Sequence, residues 1–292
     1  MNYIRKSADI TLPSGYSEYL IDTPRDLDLT FVSNADSQVY IRILNSGKIR
    51  LRTFATNGEV TYLIWNAKTT SLEIDENHQV GVDGMLKIAY GEINQSDTKR
   101  SSYVGLSATG AKAEVSSASL VGNVKEYKLD VVSLAPHTSG IMNNYAVVLE
   151  GGKYQMKATG SIIKGAYASK SHQTSRALCF DEKQTSMIEP NLLIDEMDVE
   201  ASHATSVGRV NEEQLYYMQS RGLTTRQCTA LISAGYLLPV AEVIDDEKLK
   251  ATLKEERAEY TKLDSSKLEK VIGKKIPTWE SGIDRFLGEF LV

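Results

Sequence analysis

From about Leu27 onward the chain is a succession of short runs in which apolar and polar residues alternate: LTFVS, QVYIRIL, KIRLRTF, EVTYLIW and SLEI, divided by the small polar clusters SNADS, NSGK and TNGE. β-branched and aromatic residues recurring with period two, bounded by turn-forming clusters, predict strands. The rhythm continues through MLKIAYGEI, SSYVGLSA, AKAEVSSASLV, EYKLDVVSL, YAVVLEGG, YQMKATGSIIKG and NLLIDEMDVEA. No connection before residue 206 has the length and periodicity of a crossover helix. The choice therefore narrows to an antiparallel sandwich or barrel, or a coiled parallel β-helix. Two features favour the β-helix. Small residues recur within the runs, as over residues 101–119, which suits the bends of stacked coils, and the regular Asn-Gly turns of a hairpin meander are missing. At roughly 20–25 residues per coil and ~4.8 Å per strand, the body is expected to hold about eight coils.

After Val207 the period becomes 3.6. Asn211 is an N-cap with Gln214 three residues on, Leu215 and Met218 follow at helical spacing, and Gly222 ends the run. Thr224 or Thr225 caps a second helix, Cys228, Leu231 and Ile232 give it an apolar face, and Gly235 followed by Pro239 is expected to end it. Beyond these, residues 241–273 read as one or two charged amphipathic helices with Leu249 and Leu253 on one face, a face suited to a lid or to docking a partner. The last stretch restarts after Pro277 with Trp279, Ile283, Phe286, Leu287, Phe290 and Leu291, either packed back on the body or part of an oligomer interface. The expected division is a β domain over 1–206 and a helical domain over 207–292.

Composition narrows the function classes. With 292 residues, 41% hydrophobic and 24% charged, the chain is an ordinary folded protein. A formal net charge of −5 argues against a phosphate-binding surface, so the helix-turn-helix look of residues 211–236 is weak evidence for DNA binding; no nucleic-acid partner is expected. The N-terminus lacks the apolar core of a signal peptide and no segment approaches ~20 consecutive apolar residues, so a cytoplasmic location without membrane association is expected. The two cysteines, Cys179 and Cys228, lie far apart with no C-x-x-C pair, and read as small buried apolar residues. P-loop, G-x-G-x-x-G, H-E-x-x-H and G-x-S-x-G motifs are absent, so no intrinsic enzyme activity is expected.

Three segments carry a more specific signal: SHQTSRALCFDEK at 171–183, VEASHATSVGRVNEEQLYYMQSRGL at 199–223, and APHTSG at 135–140. They resemble the SufB/SufD family of iron–sulfur cluster assembly proteins, over about residues 101–239. The resemblance implies a right-handed parallel β-helix followed by a C-terminal helical domain that docks onto SufC, an ABC-type ATPase. In the family a SufB and a SufD subunit pair through their β-helices, and ATP-driven dimerisation of SufC is thought to open their interface for cluster building. The family's N-terminal helical domain looks absent, because the strand rhythm already begins near Leu27.

Two positions place the chain on the SufD side. SufB-like sequences carry a sulfur-accepting cysteine in T-Q-C-D-S and a glutamate in E-H-E-A-T; here Ser175 stands at the first position and Ala204 follows His203. Cys179, four residues on along a strand, shares a face with Ser175 and is either a shifted sulfur acceptor or a plain core cysteine. The resemblance makes His203 a candidate iron or cluster ligand facing a partner across an interface, against the alternative of a hydrogen-bonded junction histidine. Asn211, Glu212, Leu215, Tyr216, Arg221 and Gly222 are the candidate ATPase-docking residues, within a docking region spanning 211–263. His137 and His172 are expected to stabilise turns between coils, and His78 to lie on the surface. Any iron–sulfur cluster would be transient, with none bound permanently. The partners implied are a SufC-type ATPase and a SufB-like subunit, or a second copy of the chain in a minimal homodimeric scaffold. Rival readings are an adaptor that touches neither iron nor sulfur, and a β-helix polysaccharide-active enzyme. The latter would normally be exported and carry a dense carboxylate cluster for calcium, which this sequence lacks.

Overall fold

The computed structural model describes residues 1–94, 96–180, 185–237 and 240. Its strands are β1 (Asn2–Ile4), β2 (Ala8–Thr11), β3 (Gly15–Asp22), β4 (Leu27–Ser33), β5 (Ser37–Asn45), β6 (Ile49–Ala55), β7 (Glu59–Asn66), β8 (Leu72–Val80) and β9 (Met85–Glu92). They continue as β10 (Thr98–Leu106), β11 (Lys112–Val121), β12 (Val124–Ser133), β13 (Ser139–Val148), β14 (Lys153–Ile162), β15 (Ser169–Cys179), β16 (Thr185–Ile194) and β17 (Val199–Arg209), followed by α1 (Glu212–Ser220) and α2 (Thr225–Leu237). The strands form two parallel sheets, one of the nine odd-numbered strands and one of the eight even-numbered strands, each strand pairing with the one a coil away. The chain is thus a flattened parallel β-solenoid, as the strand pattern predicted, with two helices after it.

Two details differ from expectation. Strands begin at Asn2, ahead of Leu27, because the short runs NYI and ADIT pair with β3 and β4 rather than standing alone. The coil is also not of fixed length: Asn2 pairs with Tyr19, a step of 17 residues, whereas Ser139 pairs with Lys170, a step of 31. Strands lengthen from three residues in β1 to eleven in β15 and β17, so the solenoid widens toward its C-terminal end.

Alternation along each strand sends one set of side chains inward between the sheets. Leu27, Leu29 and Phe31 of β4, Tyr62 and Ile64 of β7, and Leu129 and Val131 of β12 belong to this single buried column of core. A second, smaller apolar cluster lies on the outer face of the odd-numbered sheet, where Tyr40, Leu63, Trp65, Ala89 and Ala118 meet Leu237 and Val240. Trp65 reaches it by lying flat over its register partner Gly91, where an added Cβ would fall 2.1 Å from the ring. Tyr236 packs edge-on against Tyr145 of β13 with ring centroids 6.3 Å apart, which seats α2 on this face.

Asn211 caps α1 by accepting from the backbone N–H groups of Glu213 and Gln214, and Gly222, at φ 91°, supplies the left-handed residue that ends it. Thr224 caps α2 reciprocally with Gln227, whose carbonyl oxygen accepts from the Thr224 backbone N–H while the Thr224 hydroxyl accepts from the Gln227 N–H. Gly235 does not end α2, which runs to Leu237; the contacts of Tyr236 and Leu237 with the sheet outweigh the cost of one helical glycine. Cys228 is buried on the inner side of α2, while Leu231 of the expected apolar face is partly exposed. The helices expected over 241–273, with Leu249 and Leu253, and the apolar set from Trp279 to Leu291 lie outside the described residues, as does Pro239.

Candidate functional site

β17 is the last strand of its sheet and, among the described residues, pairs only with β15. Ten of its eleven residues are exposed, on both faces of the strand, since among the described residues no further coil stacks on them. Register fixes which of them face the solenoid axis. In β15 the residues Ser169, Ser171, Gln173, Ser175, Ala177 and Cys179 are buried and the intervening ones are not, so the odd positions point inward. Their partners in β17 are Val199, Ala201, His203, Thr205, Val207 and Arg209. His203 therefore occupies the inward column Val115–Met142–Gln173–His203, at its open end. One coil further in, the same mouth is lined by hydroxyls and amides: Asn144 donates to Ser175 at 3.1 Å and accepts from Ser117 at 2.8 Å, a ladder running down the axis below Thr205.

The other sequence candidates fall on either side of this mouth. Cys179 faces inward on the same strand face as Ser175, 7% exposed, with its sulfur 3.5 Å from the Ser186 hydroxyl of β16. Asn211, Glu212, Leu215, Tyr216, Arg221 and Gly222 follow β17 directly along α1, which has no buried residue. Tyr216 is 74% exposed, and the Arg221 guanidinium lies 5.0 Å from the Tyr217 ring. The structure thus brings His203 and α1 to one end of the molecule. Among the described residues there is no group of three or more His, Cys, Asp or Glu placed to hold a metal ion.

The remaining histidines separate. His137 sits in a turn as expected, at φ 58°, its ring edge-on to Tyr167 with centroids 5.3 Å apart. His172 is not in a turn: it lies within β15, on the outer face, with Nδ1 2.8 Å from the Ser202 hydroxyl. His78 is not on the surface. It is fully buried, because β8 alternates and places it on the inward set with Leu72, Ile74 and Val80. Its Nδ1 lies 2.7 Å from the Thr53 hydroxyl. Burial, assisted by the nearby positive charge of Arg100, pushes its pKa down to about 3, so the ring is neutral in the folded chain.

Sequence reasoning missed a second feature, a charged cluster inside the solenoid. Arg100 of β10 pairs with Glu76 of β8 at 2.6 Å and with Glu92 of β9 at 2.7 Å, and all three side chains are sealed from solvent. Lys125 of β12 donates to Asn94 at 2.7 Å and lies 3.6 Å from Glu92, which also accepts from Asn66 at 2.8 Å. The Arg100 guanidinium stacks 4.0 Å from the centre of the Tyr90 ring. Burial raises the pKa of Glu76 despite Arg100; for Glu92 burial acts the same way, but Lys125 and Arg100 outweigh it and bring the carboxyl below its usual range. The signal was available in the sequence. Glu76 follows Ile74 by two residues and precedes Val80 by four, the parity of a core position.

Comparison with known proteins agrees with the geometry. A family model described as "SUF system FeS cluster assembly, SufBD core domain" matches residues 28–236. The chain belongs to the SufBD family. The iron–sulfur cluster assembly protein SufD of Bacillus subtilis is 28% identical over 257 residues, covering 86% of this chain and 58% of that protein. SufB of the same organism is 26% identical over 159 residues, covering 54% of this chain and 34% of SufB. An iron–sulfur cluster assembly SufBD family protein of Mycobacterium tuberculosis is 31% identical over 159 residues, which are 54% of this chain and 19% of that protein. The match to SufD is thus the longer of the two Bacillus ones, and the chain spans about half or less of the length of these SufBD relatives. No helix among the described residues is long and apolar enough to cross a membrane.

Proposed function

We propose that this chain is a SufD-like, non-catalytic scaffold subunit of a SUF-type iron–sulfur cluster assembly complex. The observation that carries the reading is the combination of a SufBD core domain with an imidazole, His203, on the inward column of an eleven-residue strand whose outer edge and both faces are open among the described residues. Such an edge is a template for pairing with another strand, and the partner proposed is a second SufBD-type solenoid. A neutral imidazole supplies one nitrogen donor to ferrous iron, the cargo of the complex, and the partner's thiolate or carboxylate groups complete the set. Cys179, buried one coil below the mouth, is assigned to the core rather than to sulfur transfer. The helix pair, with Asn211, Glu212, Leu215, Tyr216, Arg221 and Gly222, docks an ABC-type ATPase, which supplies the ATP hydrolysis this chain has no motif for. The chain works in the cytoplasm.

Co-expression with a SufC-type ATPase tests the assembly: a stable complex is expected, and two folded chains that fail to co-purify would overturn it. The site is tested by His203→Ala. The variant is expected to lose ferrous iron or cluster loading in anaerobic reconstitution of the complex while the complex itself stays intact; unchanged loading returns His203 to a structural role.

A further inference from the structure

We propose that Gln173 is a positioning residue for His203: its side-chain carbonyl accepts the ring N–H of His203 and so selects one tautomer, leaving the other ring nitrogen with its lone pair turned toward the end of the solenoid. Gln173 is 3% exposed and is the direct register partner of His203, on the same inward column one strand below it. Its Nε2 donates to the backbone carbonyl of Asn191 in β16 at 2.7 Å, spanning the interior from one sheet to the other. That carbonyl can only accept, so the orientation of the amide is fixed with nitrogen at Asn191. What is left over is therefore an acceptor, and Oε1 is buried without a partner. A buried acceptor in this state is rare and calls for a donor.

Ser171 and Ser175 flank Gln173 on the inward face of β15, and the column itself offers one donor. Below Gln173 in the column stands Met142, which has none, and above it stands His203, whose ring always carries at least one N–H. Adjacent strands are ~4.8 Å apart, within reach of a rotamer change of the exposed imidazole. The bond would do for this ring what an outer-sphere partner does for a ligating histidine elsewhere, fixing the tautomer and the plane of the ring. The tautomer assignment stands on the geometry alone; its value for iron binding rests on the function proposed above.

The test uses the full chain labelled with ¹⁵N-histidine, with long-range ¹H–¹⁵N spectra recorded at pH 8, above the ordinary histidine range of about 6.5; His203→Ala assigns the resonance. Wild type is expected to show His203 largely in one tautomer, Gln173→Leu to return it to the mixture of a free imidazole, and Gln173→Glu, which keeps an acceptor, to restore it. Gln173→Met, matching Met142 beneath it, replaces the leucine variant if that one does not fold. A free-imidazole mixture in wild type overturns the proposal, as does a wild-type tautomer that persists in the leucine or methionine variant. A parallel titration with ferrous iron, on the chain with its partner, is expected to weaken at least about tenfold in Gln173→Leu and to recover in Gln173→Glu. If wild type binds no iron yet the tautomer follows Gln173, the positioning role stands and the iron reading falls.

Discussion

At the scale of the residue, this solenoid is unusual for what it seals inside. Arg100, Glu76, Glu92 and Lys125 are buried together, and such clusters are weak evidence for net stability because desolvation consumes most of the Coulombic gain. His78, beside the cluster, allows a cleaner measurement. Its folded pKa of about 3 lies below the unfolded value near 6.5, so between these values the unfolded chain holds a proton that the folded chain refuses. Stability must then fall as pH drops below about 6.5, by about 1.4 kcal/mol per unit, or about 2 kcal/mol between pH 6.5 and 5. The carboxyls act otherwise: raised Glu76 gains relative stability as pH falls through its own range, while depressed Glu92 loses it only below the ordinary carboxylate values. Both are common to wild type and His78→Gln. Urea unfolding is therefore expected to show the slope over pH 6.5–5 in wild type and to flatten in the variant; equal slopes would show that the ring is protonated inside. His78 is buried, against the expectation of a surface position, although the run around it, DENHQ, is polar. In a strand the informative neighbours are two residues away.

At the scale of the element, legibility followed how local the determining forces are. The start of α1 was readable because an N-cap is a contact within four residues, and Asn211 makes it as predicted. The end of α2 was not, since Gly235 is tolerated through contacts that Tyr236 and Leu237 make with strands far away in sequence. Likewise the strands were legible from alternation, but the drift of coil length depends on turns whose size only the stacked register reveals. That β17 is the last described strand of its sheet could not be read from SHATSVG, which on its own gives no sign of it. α1 itself buries nothing, so it depends on its cap more than α2 does. Asn211→Ala is expected to cost about 1 kcal/mol of helix stability and to fray α1, while the solenoid melts unchanged. Circular dichroism of the full chain should show less helix signal with the same thermal midpoint for the strand signal. A common shift of both would mean that the helices and the solenoid unfold as one unit.

At the scale of the whole molecule, a solenoid is stabilised by nearest neighbours, and a coil with a neighbour on one side only is the weakest. The central coils carry both the apolar column and the ionic cluster, whereas among the described residues β17 has β15 on one edge and nothing covering its faces. In a parallel ladder alternate N–H groups of β17 bond to β15, and those between them point to the open edge. Hydrogen exchange resolved to single amides should therefore divide Val199–Arg209 into two interleaved sets, one moderately slow and one as fast as an unstructured chain. Strands β6 to β12 should exchange slowest of all. Adding a second SufBD-type solenoid that pairs edge to edge must slow the fast set selectively, because those are the groups that acquire acceptors, and leave the central coils unchanged. Protection confined to α1 and α2 would instead mean that the partner docks through the helices alone, and His203 would then face no second subunit from which to draw the rest of a metal's donors.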